Sequence, residues 1–441
     1  MSNSLVKNSI INVLKKNIKI DIVLAFAICG VVIVSLIPPQ ILKYIIDGNL
    51  VPRSSDRLLL LSTIYMGVLL LIGIFDFMKE AILTVLGQKI TKEIRLEMMK
   101  KLKKLGAMFF STNATGTVVS RFTNDVDAIN SMFTDGIIGM VVDCLKVIGI
   151  VISIWMFSTK LGGITLLLLP IIYAITRIFQ KKMLKAQIEN RILIGRVNNH
   201  ISESLKNVQM IKSYSKESYM EKNYSSYLLD NYKTVEKVNF YDSVFSPIIQ
   251  FTRAVVIGII VILSSKQLNY LGISLGMVAA CIELITNLFA PIESLGMELQ
   301  DIQQAVSGMH RVNDFYNLPE DYSTRSDLKA NDIIPTRDDI NLCFNNLTFQ
   351  YEKGTNILQN INLDLTPHEK VTFVGRTGVG KSTLFKLVMG FLKPSSGNIT
   401  VNGIDVYTIP NSEKRKIFGY VNQSFHMVNG TVAEQISLKD E

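Results

Sequence analysis

Six long apolar runs, separated alternately by short and long polar segments, dominate the first two thirds of the chain. They lie at approximately Ile20–Ile46, Leu58–Phe77, Ile137–Phe157, Leu161–Phe179, Val244–Ser264 and Leu271–Ala290. A bilayer core about 30 Å thick takes roughly 20 apolar residues as a helix, so each run predicts one membrane-spanning helix. Pro38-Pro39 predicts a kink in the first.

The odd-numbered connections are short: "DGNLVPRSSDR", "STKLGG" and "SKQLNYLG". The even-numbered ones are long, helical in pattern and rich in Lys and Arg, as in "KEIRLEMMKKLKKL" and "RIFQKKMLKAQIENRILIGR". Few Gly or Pro residues interrupt them near the membrane, so Leu58 to Leu105 reads as one helix of about 70 Å. Such helices project far past the hydrocarbon and turn back. The first turning point is "FFSTNATGTVVSRFTNDVDAIN", where Thr123 or Asn124 is expected to cap a new helix with Asp125 and Asp127 in its first turn. The second is "NVQMIKSYSKESYMEKNY". Both tips are compatible with solvated hairpins or with short helices that dock on a cytoplasmic partner.

After the sixth run the helix is expected to continue to about Phe315. The polar stretch "NLPEDYSTRSDLKANDIIPTRDDI" reads as a linker. From Asn341 the pattern changes to short β-rich runs, "LCFNNLTFQY", "INLDL" and "VTFVG", as expected for an α/β domain. The predicted organisation is a six-helix domain over 1–315, a linker over 316–340 and an α/β domain over 341–441.

The α/β segment contains G-x-x-x-x-G-K-[ST] as Gly375, Gly380, Lys381 and Ser382, with a further glycine at Gly378. "VTFV" before it and "STLFKLVMGFL" after it supply the expected strand and helix. Glycines let consecutive backbone N–H groups curl around phosphate oxygens, and the helix N-terminus adds partial positive charge. In this motif Lys381 reaches the β- and γ-phosphates and the Ser382 hydroxyl ligates Mg²⁺. "NITVNGIDV" predicts a hairpin turning at Asn402-Gly403. Tyr351, about two dozen positions ahead of the loop, suits either adenine stacking or packing.

Composition supports a membrane protein: 48% of residues are hydrophobic and 19% charged, against about 25% charged in soluble domains. The net charge of +9 is explained by Lys and Arg in the long connections and N-terminus. The positive-inside rule puts both termini and both long loops in the cytoplasm, so nucleic-acid binding is not expected. Four cysteines and four histidines are scattered without metal-ligand or disulfide spacing. Asp143, Lys146, Arg253 and Glu283 lie in or near the spans and are candidates for substrate contact. Asp143 and Lys146, three apart on a helix, are also placed to satisfy each other.

Together these residues resemble the ATP-binding cassette exporters, in which six transmembrane helices precede a nucleotide-binding domain. The resemblance runs from "IPPQILKYIIDGNLVP" to the last residue and includes the coupling segments and "VGRTGVGKST", similar to the family's Walker A. It implies a multi-domain fold: a six-helix α transmembrane domain, then a partial α/β P-loop nucleotide-binding domain. It implies ATP and Mg²⁺ as cofactors, with ATP held by Tyr351, Gly375, Arg376, Thr377, Gly378, Val379, Gly380, Lys381, Ser382, Thr383 and Gln423, and Mg²⁺ by Ser382 and Gln423. Tyr351 in "FQY" would be the adenine-stacking aromatic and Gln423 the Q-loop glutamine, preceded here by Asn422 where proline is common.

The resemblance further implies a multi-pass cell-membrane half-transporter, pairing with itself or another half-transporter among membrane lipids, that exports an unidentified substrate. The family's signature motif, Walker B acids and switch histidine have no counterpart in these 441 residues. A chain truncated after the Q-loop and incapable of hydrolysis alone is therefore expected. The alternative is a naturally shortened, non-hydrolysing subunit that binds ATP or modulates a full-length partner.

Overall fold

Six helices of 33 to 48 residues, each with a window apolar enough to cross a membrane, account for the six apolar runs in the computed structural model. The structure describes residues 4–53, 57–266, 274–320, 328–334, 340–351, 354–421 and 430–437. The chain folds into two compact units, Met1–Glu97 with Ser120–Phe315, and Met98–Val119 with Tyr316–Glu441.

The long helices, which make up most of the first unit, are Ile18–Leu50, Leu58–Leu102, Thr115–Phe157, Thr159–Lys206, Glu217–Ile262 and Leu275–Tyr316. The second, 45 residues long, spans about 68 Å at 1.5 Å per residue. The first is interrupted at Leu36, and a new helical segment starts at Ile37 with prolines in its first turn. A proline there sacrifices no intrahelical N–H bond, which is why the break falls just before Pro38-Pro39. Apolar side chains such as Leu59, Leu70 and Phe77 point away from the protein, an arrangement that hydrocarbon tolerates. A buried core of Ile150, Ile154, Leu161, Ile172, Ile249, Ile260, Leu284, Leu288 and Phe289 joins the third to sixth long helices. Asp47, in the last turn of the first long helix, accepts the Ser274 hydroxyl at 2.5 Å and the Gly276 N–H at 2.8 Å, so it caps the start of the sixth.

The third long helix departs from the sequence reading. No new helix is capped at Thr123 or Asn124; the backbone is already helical from Thr115 and passes through two wide π turns, Arg121–Asp125 and Met132–Ile138. Tertiary partners take the two acids instead. Asp125 is buried and binds Arg311 through both carboxylate oxygens, while Asp127 pairs with Arg95 at 2.8 Å. At the turning points short helices form at Ala107–Thr112 and Val208–Ser213, with Phe110 and Met210 exposed.

The second unit contains a four-stranded antiparallel sheet in the order β2-β1-β3-β4, from β1 Leu342–Phe349, β2 Leu358–Leu365, β3 Ser396–Val401 and β4 Ile404–Asp405. Asn402 and Gly403 both have positive φ, 48° and 81°, as the tight β3–β4 hairpin requires. The helix Lys381–Val388 buries Leu384 and Leu387 with Phe344, Leu347, Leu358, Ile399 and Val401. Within the stretch expected as a linker, Ala330–Ile333 is helical, Ile333 is buried in the same core, and Asn402 donates to its carbonyl at 2.9 Å.

One predicted strand is not formed. "VTFV", 371–374, joins no ladder among the described residues. Phe373 packs edge-on against Phe385 at 5.8 Å, but Val371 and Val374 are exposed, Val374 by 90%. β-branched residues favour extended backbone, yet a strand also needs a hydrogen-bonded neighbour, and none of β1–β4 lies alongside.

Candidate functional site

The glycine-rich segment 375–380 connects the extended run 371–374 to the helix Lys381–Val388. Gly378 and Gly380 adopt left-handed φ values of 87° and 100°, which side chains resist. Gly380 is buried beneath the start of β2: a Cβ there would lie 2.9 Å from Leu358 Cδ2 and 3.0 Å from Ile357 Cγ2. Packing of the helix on the sheet and of Gly380 on β2 therefore fixes the loop from both sides.

The first intrahelical bond runs from the Leu384 N–H to the Gly380 carbonyl at 2.9 Å. The N–H groups of Lys381, Ser382 and Thr383 precede it and point out of the helix start, where the helix dipole is positive. Lys381 folds back over the loop, and its Nζ donates to the carbonyls of Gly375 and Arg376 at 2.6 and 2.9 Å. Arg376, Thr377, Gly378 and Val379 are exposed, as is Ser382 beside the loop, whereas Thr383 is buried. This is a concentration of backbone donors with one ammonium beside them, open to solvent. Such a cradle suits an anion with several oxygens.

Tyr351 is near this cradle. Its ring meets Phe349 edge-on at 4.9 Å, it packs on the domain core, and its hydroxyl is 3.3 Å from Thr383 Oγ1. Of the sequence-predicted residues, Gly375 to Thr383 form one continuous cradle and Tyr351 is joined to its base through Thr383. Asn422 and Gln423 lie outside the described residues. Ile357 and Leu358, which close over Gly380, are not legible in the sequence, since no spacing ties them to the loop.

The Asp143 carboxylate accepts the Ser294 hydroxyl from the sixth long helix. Lys146 makes no ion pair among the described residues, so the expected local Asp143–Lys146 pairing is not formed; the hydroxyl across the helix interface satisfies the acid instead. Arg253 stacks its guanidinium 5.3 Å from the Phe289 ring centroid, with Nε buried and unpartnered among the described residues. Glu283 likewise has a buried Oε2 without a partner among them.

Residues 22–292 match the family model described as ABC transporter transmembrane region, and residues 358–441 match that described as ABC transporter. Among curated relatives, the chain is 22% identical to the uncharacterized ABC transporter ATP-binding protein YknV of Bacillus subtilis, over 92% of this chain and 67% of the relative. It is 26% identical to the lactococcin-A transport/processing ATP-binding protein LcnC of Lactococcus lactis, over 96% of this chain and 58% of the relative. To the ATP-dependent lipid A-core flippase of Syntrophus aciditrophicus it is 24% identical, over 90% of this chain and 65% of the relative. The chain thus spans about three fifths of the length of LcnC and two thirds of the flippase. With six membrane-length helices, the transmembrane-region match and the glycine cradle all on one polypeptide, the chain belongs to the ABC transporter family.

Proposed function

We propose that this chain is an exporter-type half-transporter that binds ATP at the 375–383 cradle and uses it to drive export of a substrate through its six-helix domain. The observation that carries the reading is Lys381 folded onto the carbonyls of Gly375 and Arg376 inside a left-handed glycine loop. An incoming triphosphate offers that ammonium stronger acceptors than two neutral carbonyls, so Lys381 exchanges its loop contacts for the β- and γ-phosphates. The N–H groups of Gly378 to Thr383 hold the remaining oxygens. Tyr351 stacks on the adenine, and Gln423 completes the site.

Mg²⁺ fits this cradle because the exposed Ser382 hydroxyl stands next to the phosphate-facing N–H groups; with Gln423 it would hold the ion, which when bound neutralises phosphate charge. The polypeptide works as a dimer, with a second copy or another half-transporter, in a cell membrane with both termini cytoplasmic.

The test is nucleotide binding by the full chain in lipid nanodiscs. Saturable ATP binding that Lys381→Ala weakens by about tenfold or more, as expected for loss of a charged phosphate contact, supports the reading. ATP binding equal in the two proteins overturns it.

A further inference from the structure

A cavity of about 440 Å³ opens within the first unit between the second, third and sixth long helices. Its size is within the range of about 300–1,000 Å³ typical of small-molecule pockets. The charge along its wall is unbalanced. Glu80, Asp135, Asp143, Glu298 and Asp301 line it, against Lys79 and Lys146. Lys79 is already engaged, at 3.1 Å from both Asp76 and Glu80. Among the described residues neither Lys146 nor any other cation pairs with Asp135, Asp143, Glu298 or Asp301.

Glu298 is the deepest of these acids. It is only 8% exposed, and its Oε2 has no hydrogen-bond partner among the described residues. A buried carboxylate oxygen without a donor opposes folding; the neighbouring Asp143 carboxyl lies within hydrogen-bond reach of Glu298 but brings it no positive charge. The facing helix is shaped to admit it. A Cβ at Gly139 would lie 2.6 Å from Glu298 Oε1, so a larger residue there would push the end of the Glu298 side chain from its present place. The π turn Met132–Ile138, which contributes Thr134, Asp135 and Ile138 to the wall, is of a kind often found at functional sites.

We propose that this cavity receives a cationic nitrogen group, ammonium or guanidinium, of the transported substrate, with Glu298 and Asp143 as its deep partners and Asp301 at the mouth. The inference rests on the transport reading above and supplies its substrate class. A metal ion suits the wall less well: among the described residues no three His, Cys, Asp or Glu side chains gather closely enough to hold one. Dispersed carboxylates match a cation whose charge is spread over several N–H donors. A free polyamine and a basic side chain of a peptide share that chemistry.

The experiment is equilibrium binding to the full chain in nanodiscs, without nucleotide, using spermidine and a short arginine-containing peptide as separate probes. A peptide with glutamate in place of arginine is the negative control. Saturable binding of either probe supports the site, and the probe that binds tighter identifies the source of the cation. Glu298→Gln is expected to weaken binding by about tenfold or more. Asp301→Asn, at an exposed position that tolerates the change, is expected to weaken it about threefold; Glu236→Gln, exposed on the fifth long helix away from the cavity, leaves it unchanged. If Glu298→Gln does not yield monodisperse protein, Asp301→Asn carries the decision.

No saturable binding of either probe, equal affinity in Asp301→Asn, or equal binding of the acidic peptide overturns the proposal. ATP binding measured on the same preparations separates the two readings. Cation binding without ATP binding leaves the site standing and removes the transport reading; ATP binding without cation binding does the reverse.

Discussion

Arg311 grips Asp125 with both arms of its guanidinium: Nε and Nη2 donate to Oδ2 and Oδ1 at 2.9 and 2.5 Å. The acid is buried on the third long helix, and the arginine, on the sixth, is about half exposed. Phe122 and Phe315 cross edge-on beside them, with centroids 5.7 Å apart. Arg311→Ala therefore leaves a buried carboxylate without its partner and is expected to lower stability by about 1–3 kcal/mol. Arg311→Lys, which keeps the charge but not the fork, should recover only part of the loss. Thermal unfolding of the detergent-solubilised chain measures both; a midpoint unchanged in Arg311→Ala would show that the pair contributes nothing.

Gly380 admits no side chain, having a φ of 100° and lying against Ile357 and Leu358. Gly380→Ala is expected to cost about 1–2 kcal/mol in backbone strain alone, and to weaken ATP binding because the first-turn N–H groups are displaced. Gly354 is also left-handed, at φ 119°, but has open space around it. Gly354→Ala thus shares the strain without the displacement and should retain ATP affinity. Equal ATP affinity in the two variants would contradict the packing argument.

Tyr351 separates a ring function from a hydroxyl function. Tyr351→Phe removes the 3.3 Å contact with Thr383 and should cost about 0.5–1.5 kcal/mol of domain stability, with ATP affinity kept within about twofold if the ring is what stacks. Tyr351→Leu removes the aromatic face and should weaken ATP binding clearly further. If Phe and Leu behave alike toward ATP, the ring does not stack on the base.

Within the second unit, Glu413 on the helix Asn411–Ile417 ties down Ala330 in a pH-dependent way. Its carboxylate accepts the Ala330 N–H at 2.9 Å and contacts Lys416 at 2.9 and 3.0 Å, which together hold its pKa below the usual carboxylate value. Because the folded pKa is depressed, the contact stabilises fully above the unfolded value and is lost as pH falls through the folded one. Hydrogen exchange of a peptide covering Ala330 should be faster in Glu413→Gln than in the parent at pH 6, and the difference should vanish well below pH 4. A difference that persists in acid would assign the protection to something else.

Much of this molecule is readable in its sequence because the decisive signals are local. Twenty apolar residues in a row report a membrane-length helix whatever surrounds them, and Gly375, Gly378 and Gly380 report a curled loop through backbone sterics alone. What escaped is tertiary. Asp125 and Asp127 look like first-turn acids, and only the fold reveals that Arg311, 186 positions away, claims one of them. "VTFV" has every residue preference of a strand, but strand formation belongs to a pair. Glu298 sits in an ordinary-looking helical stretch, and the glycine that makes room for its carboxylate is on another helix. Asp143 and Lys146 satisfy an i,i+3 rule that a hydroxyl from Ser294 overrides.

The two π turns of the third long helix set its angular phase. Each wide turn lodges about one residue more than an α ladder would hold, and one residue corresponds to about 100° of rotation. Trimming a single residue from Met132–Ile138 would let that stretch relax into regular α-helix without breaking the rod. Because the trimmed residue is the surplus one, the two halves would stay in step; it is the untrimmed stretch, forced into regular α-helix, whose halves would be wound about a quarter-turn or more apart. In that untrimmed regular helix Asp125 could face Arg311, or Val142 and Ile150 could face the core, but one intact rod could not satisfy both.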